Sequence, residues 1–75
     1  FVFAGKGTEI PLDQVPRRIL EAAERAVDGI RFDEAEVFYK KGKKVYELDG
    51  KVKKKEYEIY IDVDKKILKI EKEKK

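Results

Sequence analysis

The sequence contains no His, Cys, Met, Trp, Ser or Asn, and it has a single Thr (Thr8) and a single Gln (Gln14). These gaps remove most of the side chains from which catalytic centres are assembled. An enzyme built on this chain would have to run on Asp, Glu, Lys, Arg and Tyr. Without Cys there is no disulfide to brace a small fold, and without Cys or His there is no structural zinc site. No apolar run reaches the 18 residues or so that a membrane-spanning helix needs, so no membrane span is expected. The near-absence of Asn, Gln, Cys and Met beside abundant Lys and Glu is the composition of heat-adapted proteins, and a thermophilic source is expected on that ground. What is present is charge: 47% of the 75 residues are Asp, Glu, Lys or Arg, for a net charge of +3.

The charge is unevenly spread. Residues 1–39 carry five basic and eight acidic side chains, whereas residues 40–75 carry fourteen basic and eight acidic ones. Such a basic half can attract nucleic acid, and Lys40, Lys41, Lys43, Lys44 and Lys53 to Lys55 lie close to Tyr39, Tyr46 and Tyr57. In a meander, however, successive turns fall at opposite ends of the sheet. The clusters then separate and the inward tyrosines belong to the core, so no nucleic-acid partner is expected.

The chain divides into an N-terminal apolar segment with its connector, residues 1–11, and one folded domain, residues 12–75. Asp13-Gln14-Val15-Pro16 has an acidic cap and a Pro tolerated only in the first turn, which predicts a helix from about residue 14 to residue 28. Val15, Ile19, Ala22, Ala23, Ala26 and Val27 form its inner stripe, and Gly29 stops it. Beyond Gly29 the apolar period falls from about 3.6 to 2. Strands are predicted at residues 30–39, with an irregularity at Asp33-Glu34, then at 44–52, 56–63 and 67–72, the last with Leu68 and Ile70 inward. The expected fold is α+β: one N-terminal helix packed on a four-stranded antiparallel β-meander, with an additional N-terminal β-like segment.

Val15-Pro16 entering an Ala-rich helix, Val45-Tyr46-Glu47-Leu48, and the run from Lys55 to Glu71 with its Tyr-Glu strand and Asp62-Val63-Asp64 turn resemble PepSY and PepSY-like domains. The resemblance covers residues 12–71. It implies an extracytoplasmic, non-enzymatic domain, linked in some relatives to restraining peptidases and in others simply a protein-binding unit. The third turn carries Lys65 and Lys66 where the family usually has Gly.

Other chemistries fare worse. Asp62, Asp64 and Glu73 match positions 1, 3 and 12 of an EF-hand loop, but Lys66 and Ile67 stand where a ligand and a Gly are required, so no metal or cofactor is expected. Asp33, Glu34 and Glu36 could pair as glycosidase carboxylates, but only proximity in sequence brings them together. No catalytic residue is expected.

Protein contact remains. On the period-2 count Phe38, Val45, Tyr60 and Ile67 point away from the helix and could form an apolar patch, with Phe38 opposite Val45. Strands one and four are expected to be the sheet edges, strand four being guarded by Lys66, Lys69 and Lys72. Phe1, Val2 and Phe3 are suited to strand addition, and Val2-Phe3-Ala4 fits a signal-peptidase site. The expected protein is therefore secreted after signal-peptide removal. It is non-enzymatic and associates with copies of itself through its N-terminal strand and sheet surface, head to tail into an extracellular filament. The alternative is a monomeric protein-binding domain that restrains another exported protein such as a peptidase.

Overall fold

The computed structural model describes residues 7–72. Strand β1 (Thr8–Ile10) leads through a 3-10 turn (Leu12–Gln14) into helix α1 (Arg17–Ala26). Then follow β2 (Arg31–Lys40), β3 (Lys43–Val52), β4 (Lys55–Asp62) and β5 (Ile67–Lys72). The five strands form one antiparallel sheet in chain order, so the fold is α+β with a meander. The period-2 segments formed strands close to where the pattern placed them. The connector differs: within residues 5–12 it holds β1, which pairs with β2 through Thr8↔Val37, Glu9↔Glu36 and Ile10↔Ala35. The sheet edges among the described residues are thus β1 and β5, and β2 is not an edge along that stretch.

Pro16 caps α1 at φ −56°, and its carbonyl accepts from the amides of Ile19 and Leu20 at 2.9 and 3.2 Å. The helix begins after Pro16, not before it, because the Pro ring disfavours helical geometry at Val15. Ile19 and Ala23 are fully buried against the sheet, with Leu20, Ala22 and Val27 packed beside them, whereas Ala26 is exposed. Arg18 Nη1 donates to the carbonyl of Val63 at 3.0 Å and ties the helix to the end of β4. On the sheet, Ala35, Val37, Tyr46, Leu48, Ile59 and Ile61 complete the core.

Two irregularities set the side-chain directions. The β2–β3 register shifts between Phe32 and Glu34, at the expected place, and keeps Phe32 and Ala35 both against the core. Close by, a Cβ on Gly50 would lie 2.5 Å from the Arg31 carbonyl oxygen, so glycine lets β3 pass under the start of β2. The second shift falls between Tyr60 and Ile61, where Ile61 pairs with Ile67 and Tyr60 with Lys69. Leu68 is the extra residue. Ile67 therefore faces inward and packs against the core, and Leu68 does not join the core cluster; the unbroken alternation that turned Ile67 outward fails at this bulge.

The turn before that bulge is organised by Asp62, which is 5% exposed. Its Oδ1 accepts from the amides of Asp64 and Lys66 at 2.9 and 3.0 Å, and its own amide donates to the Lys66 carbonyl. Lys43 Nζ reaches Asp64 Oδ2 at 3.0 Å, joining the β2–β3 and β4–β5 turns at one end of the sheet. The Asp64 side chain beside it raises the Lys43 ammonium above its ordinary range, by hydrogen bond first and charge second.

Candidate functional site

Helix α1 covers one face of the sheet, and the other face is where charge collects. Alternation puts Glu9, Glu36, Glu47, Tyr60 and Lys69 on it in one row across the five strands. The next row runs Glu34, Asp49, Glu58, Glu71 across β2 to β5. Seven carboxylates thus occupy two adjacent rows, and the four of the second row stand opposite one another, with Lys69 beside Glu71 at the end of the row. Like charges directly opposite in a sheet destabilise it, so nothing in folding alone favours this pattern.

Above these rows the face is closed by aromatic rings. Phe38 pairs with Val45 on β3, and Tyr60 pairs with Glu47 on the other side of the same strand. Their ring centroids are 6.4 Å apart at a 49° tilt, so the two rings meet over β3. Beneath them Val45 is 2% exposed and Glu47 6% exposed. Gly7 completes the arrangement, because a Cβ there would sit 2.6 Å from the Phe38 ring. A carboxyl has therefore been buried on a face that, among the described residues, carries no helix.

Glu36, Glu47 and Asp49 each present a carboxylate oxygen within 4.8 Å of the others. At that spacing two ionised carboxylates repel by about 3 kcal/mol at an effective dielectric of 20. Burial, followed by a hydrogen bond to Asp49 and the charges of Asp49, Glu36 and Glu58, pushes Glu47 up to about 8. Burial also raises Asp49, opposed by its bond with Glu47, and raises Glu36 and Glu58 with help from neighbouring carboxylates. Burial and the same negative charges lift Tyr60 well above the usual phenol range. Asp49 Oδ1 is shut off from solvent and has no hydrogen-bond partner. Next to it lies an open cavity of about 410 Å³ lined by Asp33, Glu34, Asp49, Glu56, Glu58 and Glu71 among others.

The structure treats the candidate interface residues differently from one another. Phe38 and Tyr60 lie on the open face, half-buried, with their rings against each other. Val45 points to that face as expected but is covered, and Ile67 is on the opposite side. No continuous apolar patch is formed by the four. Phe1, Val2 and Phe3 lie outside the described residues. Of the three carboxylates weighed as a catalytic set, Glu34 and Glu36 stand on the acidic face in different rows, and Asp33 lines the cavity. Glu47 and Asp49 escaped notice because each is separated from Glu36 by a hairpin and the trio is assembled only by register. The visible signal was the period-2 run Glu34, Glu36, Glu47, Asp49, Glu58, which places acids at the outward positions of three successive strands.

No protein-family model matches the chain, and searches of curated proteins and of solved structures give no match. The likeness to PepSY domains therefore rests on the sequence features that suggested it, and it assigns no role to any residue.

Proposed function

We propose that the chain is a non-enzymatic assembly module that works outside the cytoplasm and joins copies of itself by donating its N-terminal segment as an added strand. The supporting observation is the register of the first ladder. Thr8 pairs with Val37, Glu9 with Glu36 and Ile10 with Ala35, so each step back along the chain moves one step forward on β2. Beyond Val37, β2 runs on through Phe38 and Tyr39 to Lys40. It then meets Lys41 and Gly42, which leave the strand at φ 51° and 77°.

An aromatic, β-branched segment such as Phe1-Val2-Phe3 is suited to adding to the edge of another sheet. Strand β5 is the edge at the far side, and Ile70 on it is 42% exposed. Donation from the β1 side of one copy to the β5 side of the next joins two different surfaces, so the contact repeats and builds a filament instead of a closed pair. Lys69 and Lys72 guard β5 against indiscriminate partners, and Lys69 is held 3.5 Å from Glu71.

The test is deletion of residues 1–4. By sedimentation velocity the intact chain should form a concentration-dependent series of oligomers, seen as filaments by electron microscopy, while the shortened chain sediments as a monomer with an unchanged far-UV spectrum. An intact chain that stays monomeric at millimolar concentration would refute the reading.

A further inference from the structure

We propose that Glu36, Glu47 and Asp49 form a binding site for a hard divalent cation of the calcium class, open to water on the side of the carboxylate-lined cavity. The proposal goes beyond self-assembly and does not depend on it.

Three observations converge. The first is geometry: three carboxylate oxygens no more than 4.8 Å apart have a common centre about 2.8 Å or less from each. Calcium binds oxygens at 2.3 to 2.6 Å, so a small closure of side chains suffices, whereas magnesium at about 2.1 Å would demand more. The second is the state of the ligands. Glu47 is 6% exposed, and Asp49 Oδ1 is sealed from solvent without a partner. The side-chain hydrogen bonds formed by Arg18, Lys43 and Asp62 lie elsewhere, and among the described residues no donor from outside the trio is bonded to Glu47 or Asp49. A buried carboxyl whose charged neighbours are all carboxyls lacks a positive partner.

The third observation is the setting. Glu34 and Glu58 flank Asp49 in the second row and add negative potential, while the lysines nearby stand at its far end, Lys69 paired with Glu71 at 3.5 Å and Lys72 on the cavity wall. An all-oxygen donor set of this kind selects hard cations over zinc or copper. Glu36, Glu47 and Asp49 supply three ligands from two adjacent strands whose register is fixed by seven consecutive pairs from Glu34 to Lys40. Calcium takes six to eight ligands, and the remaining positions fall to water and to second oxygens of the same carboxylates.

The experiment titrates CaCl2 into the full chain in chelator-treated buffer, followed by calorimetry and thermal melting, with NaCl of equal ionic strength as the reference. One calcium per chain should bind and raise the melting temperature by several degrees beyond the NaCl control, since a ligand that binds only the folded state stabilises it. Terbium, a calcium substitute, should show luminescence excited through Tyr60, which stands opposite Glu47, and that signal should fall severalfold in Tyr60→Phe. The double variant Glu47→Gln and Asp49→Asn keeps shape and hydrogen-bonding capacity, and circular dichroism reports whether it folds. It should lose the calcium response, while Glu24→Gln on the exposed side of α1 should keep it. The chain lacking residues 1–4 should bind calcium unchanged, which separates this site from assembly. The proposal is overturned if calcium gives no heat and no stabilisation beyond NaCl, if a folded double variant still responds, or if oligolysine binds the acidic face while calcium does not.

Discussion

Stability should fall as pH rises from 5 to 8, opposite to the behaviour of a protein held together by ion pairs. The group responsible is Glu47, which burial and its neighbours push up to about 8 from an ordinary 4.5. The charged and titratable groups facing it are Asp49 on its own strand, Glu36 on β2, and Tyr60 and Glu58 on β4. Between those two values the folded chain holds a proton that the unfolded chain has released. The unfolded state thus binds fewer protons, and the slope of unfolding free energy with pH is negative. Stability is full below pH 4.5, declines through the interval, and reaches its floor above pH 8. At 1.36 kcal/mol per pH unit the interval sets a ceiling of about 5 kcal/mol. The cluster is open to water on one side, and screening there reduces the expected loss to about 2 kcal/mol. For a domain of this length that is a drop of roughly 10 °C in melting temperature. Asp49, Glu36 and Glu58 are raised as well and add to the slope with the same sign. The assay is urea unfolding at half-unit steps from pH 5 to pH 8.5 with a chelator present. Glu47→Gln, whose amide stands in for the protonated acid, should match the parent near pH 5 and exceed it by about 2 kcal/mol near pH 8. Stability that is flat or rising over this range, or a Glu47→Gln variant weaker than the parent at pH 8, would show that Glu47 does not carry a proton in the folded chain.

The bulge and the Asp62 turn give two further tests. Ile67→Lys should cost about 1 to 3 kcal/mol because the side chain lies against the core, while Ile70→Lys should stay within about 0.5 kcal/mol, and equal effects in urea unfolding would mean that the β4–β5 register is misassigned. Asp62→Ala should cost about 2 to 3 kcal/mol, since it strands the amides of Asp64 and Lys66 in a part-buried turn. A loss under about 0.5 kcal/mol would show that water replaces the carboxylate there without penalty.

The parts of this fold that were legible in the sequence are those governed by local periodicity. The run from Glu56 to Asp62 alternates cleanly and is a strand in the middle of the sheet, and Ile19 and Ala23 mark the helix face that meets it. The irregularity at Asp33-Glu34 was also visible, because Phe32 and Ala35 cannot share a face in strict alternation. What escaped was set by pairing between distant segments. Thr8–Ile10 is three residues long and flanked by Gly7 and Pro11, so local composition marks it as a connector, and only Val37, Glu36 and Ala35 on β2 make it a strand. Ile67 turned inward because a bulge opposite Ile61 inserted Leu68, and nothing in Ile-Leu-Lys-Ile says which residue is the extra one.

The carboxylate face shows the same division more sharply. Each acid taken singly occupies an outward position of its strand, where a charged residue is the ordinary occupant and attracts no attention. Register converts these ordinary choices into rows of like charge, and one member, Glu47 beside the Phe38 and Tyr60 rings, is buried. The cost is borne by the folded state alone, because the unfolded chain keeps the same residues apart in water. A chain selected only for folding would gain by placing Lys at 49 or 58, as it does where Lys51 stands opposite Glu56. That ion pair lies one row below the acidic ladder, so the sheet uses cross-strand charge pairing elsewhere and departs from it over Glu36, Glu47 and Asp49. A bound cation supplies the missing positive charge at the point where the two rows meet.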